Sequence, residues 1–173
     1  FFRGEAKKKM EAGLLFYFAR RTSACQRTLS RSAGLFGIRI AEVQVCTRRE
    51  DLDAGIARLL RKGTLVFLVG SCRGRRPDCS EQIFRTLKVP LDGDGEPRGV
   101  LRVDGSRKSG YVLESADQAI LIVPDDPYEI LKMLPAAFFR LKRKFRLSGE
   151  FPPPGHPDYG RLIAGCMERR EDG

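Results

Sequence analysis

Residues that could hold an anion are concentrated in one short stretch of the sequence, Gly70-Ser-Cys-Arg-Gly-Arg-Arg-Pro-Asp-Cys-Ser80. Its glycines allow the backbone to approach a phosphate closely, and its three arginines add positive charge. Asp78 and Ser80 are also good helix caps, because their side-chain oxygens can accept from free backbone N–H groups. The stretch therefore predicts a basic, anion-binding loop that leads into a helix.

Two further polar loops follow later in the chain. Pro124-Asp-Asp-Pro127 comes directly after a very apolar segment. Its Asp125 and Asp126 are either a metal-binding pair or favourable charges at a helix start. The loop at 104–110 supplies hydroxyl and ammonium groups on Ser106, Lys108 and Ser109. These groups either contact a phosphate or belong to a solvated turn.

Cysteine and histidine usage restricts the other chemistries. The chain has five cysteines, an odd number, with no CxxC pair, and one histidine. This composition argues against a disulfide framework and a structural zinc site, and it predicts a reducing, cytoplasmic location. His156 lies among prolines, where the sequence shows no group to support it as a general base.

The hydrophobic segments indicate a protein without a membrane span. No apolar run approaches the roughly 20 residues that a membrane helix needs. The segment 12–19 (AGLLFYFA) follows three lysines, as in a signal peptide, but Arg20 and Arg21 come next without a small-residue cleavage site. We interpret this segment as a buried first strand.

The formal net charge of +10 is unevenly distributed. Much of the excess precedes residue 50, and a second basic cluster spans residues 140–146 (RLKRKFR). Such clusters can neutralise the phosphates of a nucleic acid or of a smaller anionic ligand. The second cluster can equally be the last turn of a helix, where cations complement the helix dipole.

Hydrophobic periodicity predicts alternating strands and helices. Apolar or alternating segments predict strands at 13–19, 38–45, 64–69, 99–103, 111–114 and 119–123. Apolar residues at helical spacing predict helices at 22–37, 49–62, 81–87 and 127–141. This order is typical of a three-layer α/β/α sandwich with a mostly parallel sheet. The short connection between the last two strands predicts one antiparallel hairpin.

The same pattern predicts the domain organisation. With 173 residues, the chain is long enough for one domain with a full hydrophobic core. We expect that domain at 13–148, after a tail or linker at 1–12. A Pro-rich extension is expected at 149–173, with a short helix at 161–169. If the strands are mainly parallel, the loops at 20–23, 70–80 and 124–127 fall on one edge of the sheet and form a single cleft.

Two long segments carry a resemblance to a known family. They are DLDAGIARLLRKGTLVFLVGSCRGRRPDCSEQI and GSRKSGYVLESADQAILIVPDDPYEILKML. With the order of elements over residues 13–145, they resemble the molybdopterin-binding superfamily, which includes molybdopterin adenylyltransferases, molybdate-insertion enzymes and the amino-terminal domain of CinA-type proteins. The family's Gly-Gly-Thr-Gly loop, Asp-x-Thr segment and Pro-Gly-x-Pro turn correspond here to 70–73, 78–80 and 124–127.

The resemblance implies a ligand, a cofactor and a chemistry. It implies that the cleft takes a molybdopterin or nucleotide phosphate, that Asp78 is catalytic, and that Asp78 and Asp126 hold Mg²⁺. The implied ligand contacts are Gly70, Ser71, Cys72, Arg73, Gly74, Ser80, Ser106, Lys108, Ser109, Pro124 and Asp125. Nucleotidyl or phosphoanhydride transfer, carried mainly by positioning and charge neutralisation, is the implied reaction. Family members are often dimers or trimers, which implies a homo-oligomer.

The sequence departs from the family pattern at three glycines. Ser71, Arg73 and Asp125 stand where the family has glycine, and their side chains would block or redirect a ligand that approaches the backbone. A binding or regulatory module of the same fold, without catalysis, is therefore an alternative. A basic nucleic-acid-binding protein is another, although no RNA-recognition or helix-turn-helix signature supports it.

Overall fold

The computed structural model describes residues 10–152, which form a six-stranded sheet and four α-helices. In chain order the elements are β1 Met10–Tyr17, α1 Thr22–Leu35, β2 Ile38–Cys46, α2 Leu52–Lys62, β3 Leu65–Gly70, α3 Ser80–Thr86, β4 Leu101–Asp104, β5 Ser109–Glu114, β6 Ala119–Pro124 and α4 Pro127–Phe145. In the described part of the chain, no helix is long and apolar enough to cross a bilayer. The predicted helix at 161–169 and His156 lie outside the described residues.

The sheet has the strand order β2-β1-β3-β6-β5-β4. The first four of these strands are parallel, and β5 is antiparallel to both of its neighbours. The predicted hairpin is confirmed as β5–β6, and β4 adds a second antiparallel pairing. In the register, Tyr17 pairs with Cys46 and Gly70, and Gly70 pairs with Pro124. Four parallel strands therefore end level with one another, so the loops that follow them meet at one edge.

Two layers of helices cover the sheet, as the sequence predicts. Leu14 and Phe16 of β1 belong to the core that faces α1 and α4, whereas Leu15 and Tyr17 belong to the core that faces α2 and α3. Every residue of β3 is buried, because helices cover both faces of this central strand. Burial on both faces explains its uninterrupted apolar sequence.

Several element boundaries differ from the predicted ones. β1 begins at Met10 and ends at Tyr17, because Phe18 leaves the strand with a positive φ of 48°. The predicted helix at 49–62 starts as a 3-10 turn at Arg49–Asp51 before α2. At the other end of the domain, Phe151 packs against Phe138 with ring centroids 5.8 Å apart. The first residues of the predicted extension therefore contact the core.

Candidate functional site

A cleft of about 940 Å³ lies where β1, β3 and β6 end. Its lining comes from the ends of these three strands, the first turn of α3, Arg49 after β2, and Lys108 from the loop before β5. The level ends of the parallel strands produce this arrangement. The expectation that the loops after β1, β3 and β6 share one cleft agrees with the structure.

The loop between β1 and α1 is held in an uncommon backbone conformation. Phe18 and Arg21 have φ values of 48° and 53°, in the left-handed region that non-glycine residues rarely adopt. Three hydrogen bonds hold this loop and the strand end before it. The Phe18 N–H donates to the Cys46 carbonyl at 3.2 Å, Ser71 N donates to the Tyr17 carbonyl at 3.1 Å, and Arg20 N donates to Asp125 Oδ2 at 2.8 Å. The loop is thereby tied to the ends of β2, β3 and β6.

Four cations line the cleft without a carboxylate partner. Arg20, Arg21, Arg49 and Lys108, here called the cleft cations, make no ion pair within residues 10–152. α1 begins beside them with no side-chain cap and no acidic residue in its first turn. The free N–H groups and positive dipole end of a helix favour an anion. This side of the cleft is therefore electropositive.

The basic residues at the end of α4 are arranged differently. Arg140 and Lys144 pair with Glu114 at 2.7 and 3.8 Å, and Lys142 pairs with Glu150 at 3.9 Å. We call Arg140, Lys142 and Lys144 the α4 exit cluster. Its members belong to the last turns of the helix, which agrees with the interpretation as charges that complement the helix dipole.

Asp78 closes the loop between β3 and α3. Its Oδ1 accepts from Arg73 N at 3.3 Å, and its Oδ2 accepts from Ser71 Oγ and Arg73 Nε, both at 3.4 Å. The alternative role of Asp78 and Ser80 as helix caps does not occur, because the N-cap residue of α3 is Cys79 and no side chain caps this helix. Ser80 is fully buried. Its hydroxyl has no hydrogen-bond partner in the described part of the chain.

The other two arginines of this loop serve the fold. Arg75 Nε donates to Ser109 Oγ at 2.9 Å, and the Ser109 hydroxyl donates to Asp104 at 2.6 Å. This last hydrogen bond is the main cause that lowers the pKa of Asp104. Arg76 donates to Glu96 at 3.2 Å. Neither arginine lines the cleft, so only Arg73 of the three brings its charge there.

A buried carboxylate organises the loop before β5. Glu129, in the first turn of α4, accepts from the backbone N–H groups of Ser106 at 2.7 Å and Arg107 at 2.9 Å. A Cβ at Gly105 would collide with Glu129 Oε2 and would force this carboxylate to move. The N–H groups that such a loop offers to a phosphate are thus occupied by a side chain of the protein itself. Of this loop, only Lys108 lines the cleft.

The two aspartates after β6 also have structural partners. Asp126 Oδ1 accepts from Tyr128 N at 3.0 Å and Glu129 N at 3.4 Å, and Pro127 is the first residue of α4. Asp126 is therefore the N-cap of this helix. Asp125 N donates to the Gly70 carbonyl at 3.0 Å, in addition to its bond with Arg20.

A magnesium site built by these residues does not fit the donor set. Both oxygens of Asp78 are engaged by the loop that it closes, and one oxygen of Asp126 caps α4. No cluster of three or more His, Cys, Asp or Glu side chains with metal-binding geometry occurs among residues 10–152. A cation at either carboxylate would compete with the hydrogen bonds that hold these loops.

The cysteines beside the cleft are neutral thiols at physiological pH. Burial raises the pKa of Cys72 to about 11, and it raises the pKa of Cys79 to about 12. Burial also raises the pKa of the Tyr17 hydroxyl. Because the thiolate is the reactive form of cysteine, neither thiol is activated as a nucleophile.

The structure brings about half of the predicted site residues together. Those that line the cleft are Ser71, Cys72, Arg73, Asp78, Lys108, Asp125 and Asp126. Those that do not line it are Gly70, Gly74, Ser80, Ser106, Ser109 and Pro124. The cleft lining also includes residues that were missed, namely Tyr17, Phe18, Arg49, Glu81 and Gln82. The signal for Arg49 is its position three residues after the end of β2, as Arg20 lies three residues after the end of β1.

Fold and cleft together define a class, an α/β/α domain with a ligand cleft at the carboxyl edge of a parallel sheet. Solved structures share this fold, and two of them show the extent of the likeness. One is the protein CinA from Thermoplasma acidophilum, whose function is unknown, with 12% identity and a TM-score of 0.57 over 80% of this chain and 98% of that chain. The second is a protein from Corynebacterium diphtheriae provisionally assigned to molybdenum cofactor biosynthesis. It has 11% identity and a TM-score of 0.55 over 79% of this chain and 96% of that chain.

The resemblance seen in the sequence is thus confirmed at the level of the fold. No protein-family model matches the sequence, and no curated protein matches it significantly. At these identities the comparisons show the architecture, and the function has to be argued from the cleft itself.

Proposed function

We propose that this chain binds a small phosphorylated ligand, a pterin or a nucleotide, in the cleft at the carboxyl edge of the sheet. The observation that carries the proposal is the set of cleft cations, which face the cleft without carboxylate partners. A volume of about 940 Å³ lies within the range of roughly 300–1,000 Å³ that is typical of ligand pockets. Four unpaired cations around such a space favour an anionic occupant.

The cleft cations would contact different parts of the ligand, because they lie at different places around the cleft. Arg20 and Arg21 lie at the start of α1, so a phosphate there would meet guanidinium groups together with the free N–H groups of the helix. Guanidinium groups match phosphate oxygens in a bidentate geometry. Arg49 extends the positive surface towards β2, and Lys108 supplies a charge from the loop before β5.

Binding is better supported than group transfer. Asp78, for which the resemblance implies catalysis, is engaged with Ser71 and Arg73, and its role in this proposal is to hold that loop in place. Asp125 likewise holds Arg20. The residues that replace family glycines thus act as parts of the cleft's frame. We propose that they make this domain a binding module whose phosphate is held by arginines.

A small ligand is favoured over a nucleic acid by the rest of the surface. A protein that follows a phosphate backbone needs cations distributed along a path. Three cations of the second basic cluster, Arg140, Lys142 and Lys144, pair with Glu114 or Glu150. The four cleft cations instead converge on one space at the ends of the strands, which suits a compact anion.

Calorimetric titration with AMP and with hydroxymethylpterin phosphate tests the proposal. We expect at least one of them to bind wild-type protein, and Arg49→Ala to weaken that binding about tenfold or more, because hydrogen bonds to charged groups contribute about 1.5–3 kcal/mol. The matched control is Arg143→Ala, an exposed arginine in the last turn of α4, roughly 24 Å along the helix from the cleft. Arg143→Ala should bind as wild type does.

A magnesium arm separates this proposal from the metal-dependent alternative. Titrations in EDTA and in Mg²⁺ should give the same affinity if arginines hold the phosphate. Binding that requires Mg²⁺ would contradict the proposal and return Asp78 and Asp126 to a metal-binding role. Failure of the folded protein to bind either compound would also refute it.

A further inference from the structure

We propose that Phe18 is a stacking platform for the planar ring of the phosphorylated ligand, so that the cleft selects heteroaromatic phosphates over simple sugar phosphates. This inference rests on the proposed function and goes further, because it assigns selectivity to one residue. Phe18 lines the cleft, and 49% of it is exposed. An apolar ring of this size on the lining of a charged cleft is the feature that the binding of phosphate alone leaves unexplained.

The backbone at Phe18 supports a functional role. A φ of 48° places a bulky residue in the left-handed region, which costs about 1–2 kcal/mol relative to the usual conformation. Glycine would adopt it without that cost. Strained positions of this kind cluster at binding sites, where the surrounding structure enforces them.

The surrounding structure fixes the position of the ring. The Phe18 N–H is bonded to the end of β2, and the carbonyl of Tyr17 is bonded to Ser71 at the end of β3. The Tyr17 ring then meets the Phe18 ring edge to face, with centroids 4.7 Å apart and an angle of 85°. Because the edge of one ring supports the other, the aromatic surface is held in place before a ligand arrives.

The Phe18 ring lies close to the proposed phosphate site, because both belong to the same loop. Arg20 and Arg21 follow two and three residues later in the same loop, which is tied to Asp125. Their Cα atoms therefore lie within about 12 Å of that of Phe18. A ligand with a flat ring at one end and a phosphate at the other could contact both. Nucleotides and pterin phosphates share this chemistry.

The test compares phosphorylated ligands with and without a planar ring, and AMP differs from ribose 5-phosphate by its adenine ring. Wild-type protein is titrated with AMP, hydroxymethylpterin phosphate and ribose 5-phosphate. We expect AMP or the pterin phosphate to bind about tenfold or more tightly than ribose 5-phosphate, as expected for the stacking of one base on an aromatic side chain. The tighter of the two aromatic ligands identifies the ring type that the cleft prefers.

Variants at Phe18 separate stacking from a structural role. Phe18→Gly should lower the affinity for the aromatic ligand to that of ribose 5-phosphate, leave ribose 5-phosphate unchanged, and maintain or raise the melting temperature. Phe18→Tyr should keep the selectivity. Arg146→Gly is the control. Arg146 has a φ of 52° at the far end of α4, so this substitution should relieve similar backbone strain without a change in the affinity for either ligand.

Each result decides between the two proposals. If ribose 5-phosphate and AMP bind equally, or if Phe18→Gly keeps the full selectivity, the stacking proposal is wrong while the phosphate site stands. A loss of affinity for every ligand in Phe18→Gly would assign Phe18 to the loop's structure and would also overturn the stacking role. If wild-type protein binds none of the three, both proposals fail.

Discussion

Two basic regions of the molecule have similar composition and opposite electrostatic organisation. The α4 exit cluster lies against Glu114 and Glu150, which compensate its charge. The cleft cations lie at the ends of parallel strands and have no carboxylate partner in the described part of the chain. Three acidic residues that share the cleft with them, Asp78, Asp125 and Asp126, bind backbone groups or Arg73 instead.

The difference shows why charge counts alone are a poor guide to function. A formal charge of +10 is compatible with a nucleic-acid-binding protein. Pairing with carboxylates weakens the attraction that Arg140, Lys142 and Lys144 exert on a ligand. The cleft cations, in contrast, converge on one space at the ends of parallel strands, and that position makes an anionic ligand the expected occupant.

Charge reversal among the cleft cations is expected to reduce ligand affinity more than any other change. An unchanged affinity would mean that the cleft cations do not bind the phosphate. The double variant Arg20→Glu, Arg21→Glu should weaken AMP or pterin phosphate binding more than a hundredfold, equivalent to about 2.7 kcal/mol, because the phosphate would face two carboxylates. Lys142→Glu, Arg143→Glu makes the same charge change at the end of α4. Calorimetry should show wild-type affinity for this second variant, and equal losses in both would mean that only net charge matters.

A smaller effect is expected when the partner of the α4 exit cluster is neutralised. The side chain of Glu114 is only 19% exposed and holds two cations. Glu114→Gln should therefore lower the free energy of unfolding by about 1–2 kcal/mol, measured by urea denaturation. Ligand binding at the cleft should not change. An unaltered stability would show that these ion pairs are as weak as ordinary surface pairs.

The smallest expected effect concerns salt. Raising the ionic strength from about 0.1 M to about 1 M shortens the Debye length from about 10 Å to about 3 Å. Affinity for AMP or the pterin phosphate should fall about threefold to tenfold, because the cleft cations are open to solvent. The stability difference between wild type and Glu114→Gln should change less, since Glu114 and Lys144 are partly buried. If salt changed the Glu114→Gln stability difference more than the ligand affinity, the cleft cations would not be the more solvent-exposed charges.

The layers of the fold could be predicted because hydrophobic periodicity dominates them. The apolar run of β3 and the short connection between β5 and β6 led to the correct strand types. The position of the cleft followed from the rule that parallel strands deliver their loops to one edge. The end of β1 was predicted two residues late, because Phe18 and Ala19 continue the apolar pattern although the backbone has already left the strand.

Side-chain partners could not be predicted, because they depend on contacts between distant parts of the sequence. Nothing local indicates that Arg75 reaches Ser109, 34 positions away. The same holds for Glu129 and Ser106, which are 23 residues apart. Loop residues were therefore assigned to the ligand by type, whereas the structure uses several of them to hold loops together.

Glu129 has a consequence for how the cleft meets its ligand. Its carboxylate supplies an internal counter-ion to the loop that contains Ser106 and Arg107. Because this carboxylate belongs to the protein, the loop is already ordered before a ligand binds. Binding therefore does not lose free energy to the ordering of this loop. Association at this edge of the sheet should resemble the docking of two rigid bodies, with a heat capacity change that reflects buried surface alone and no contribution from coupled folding.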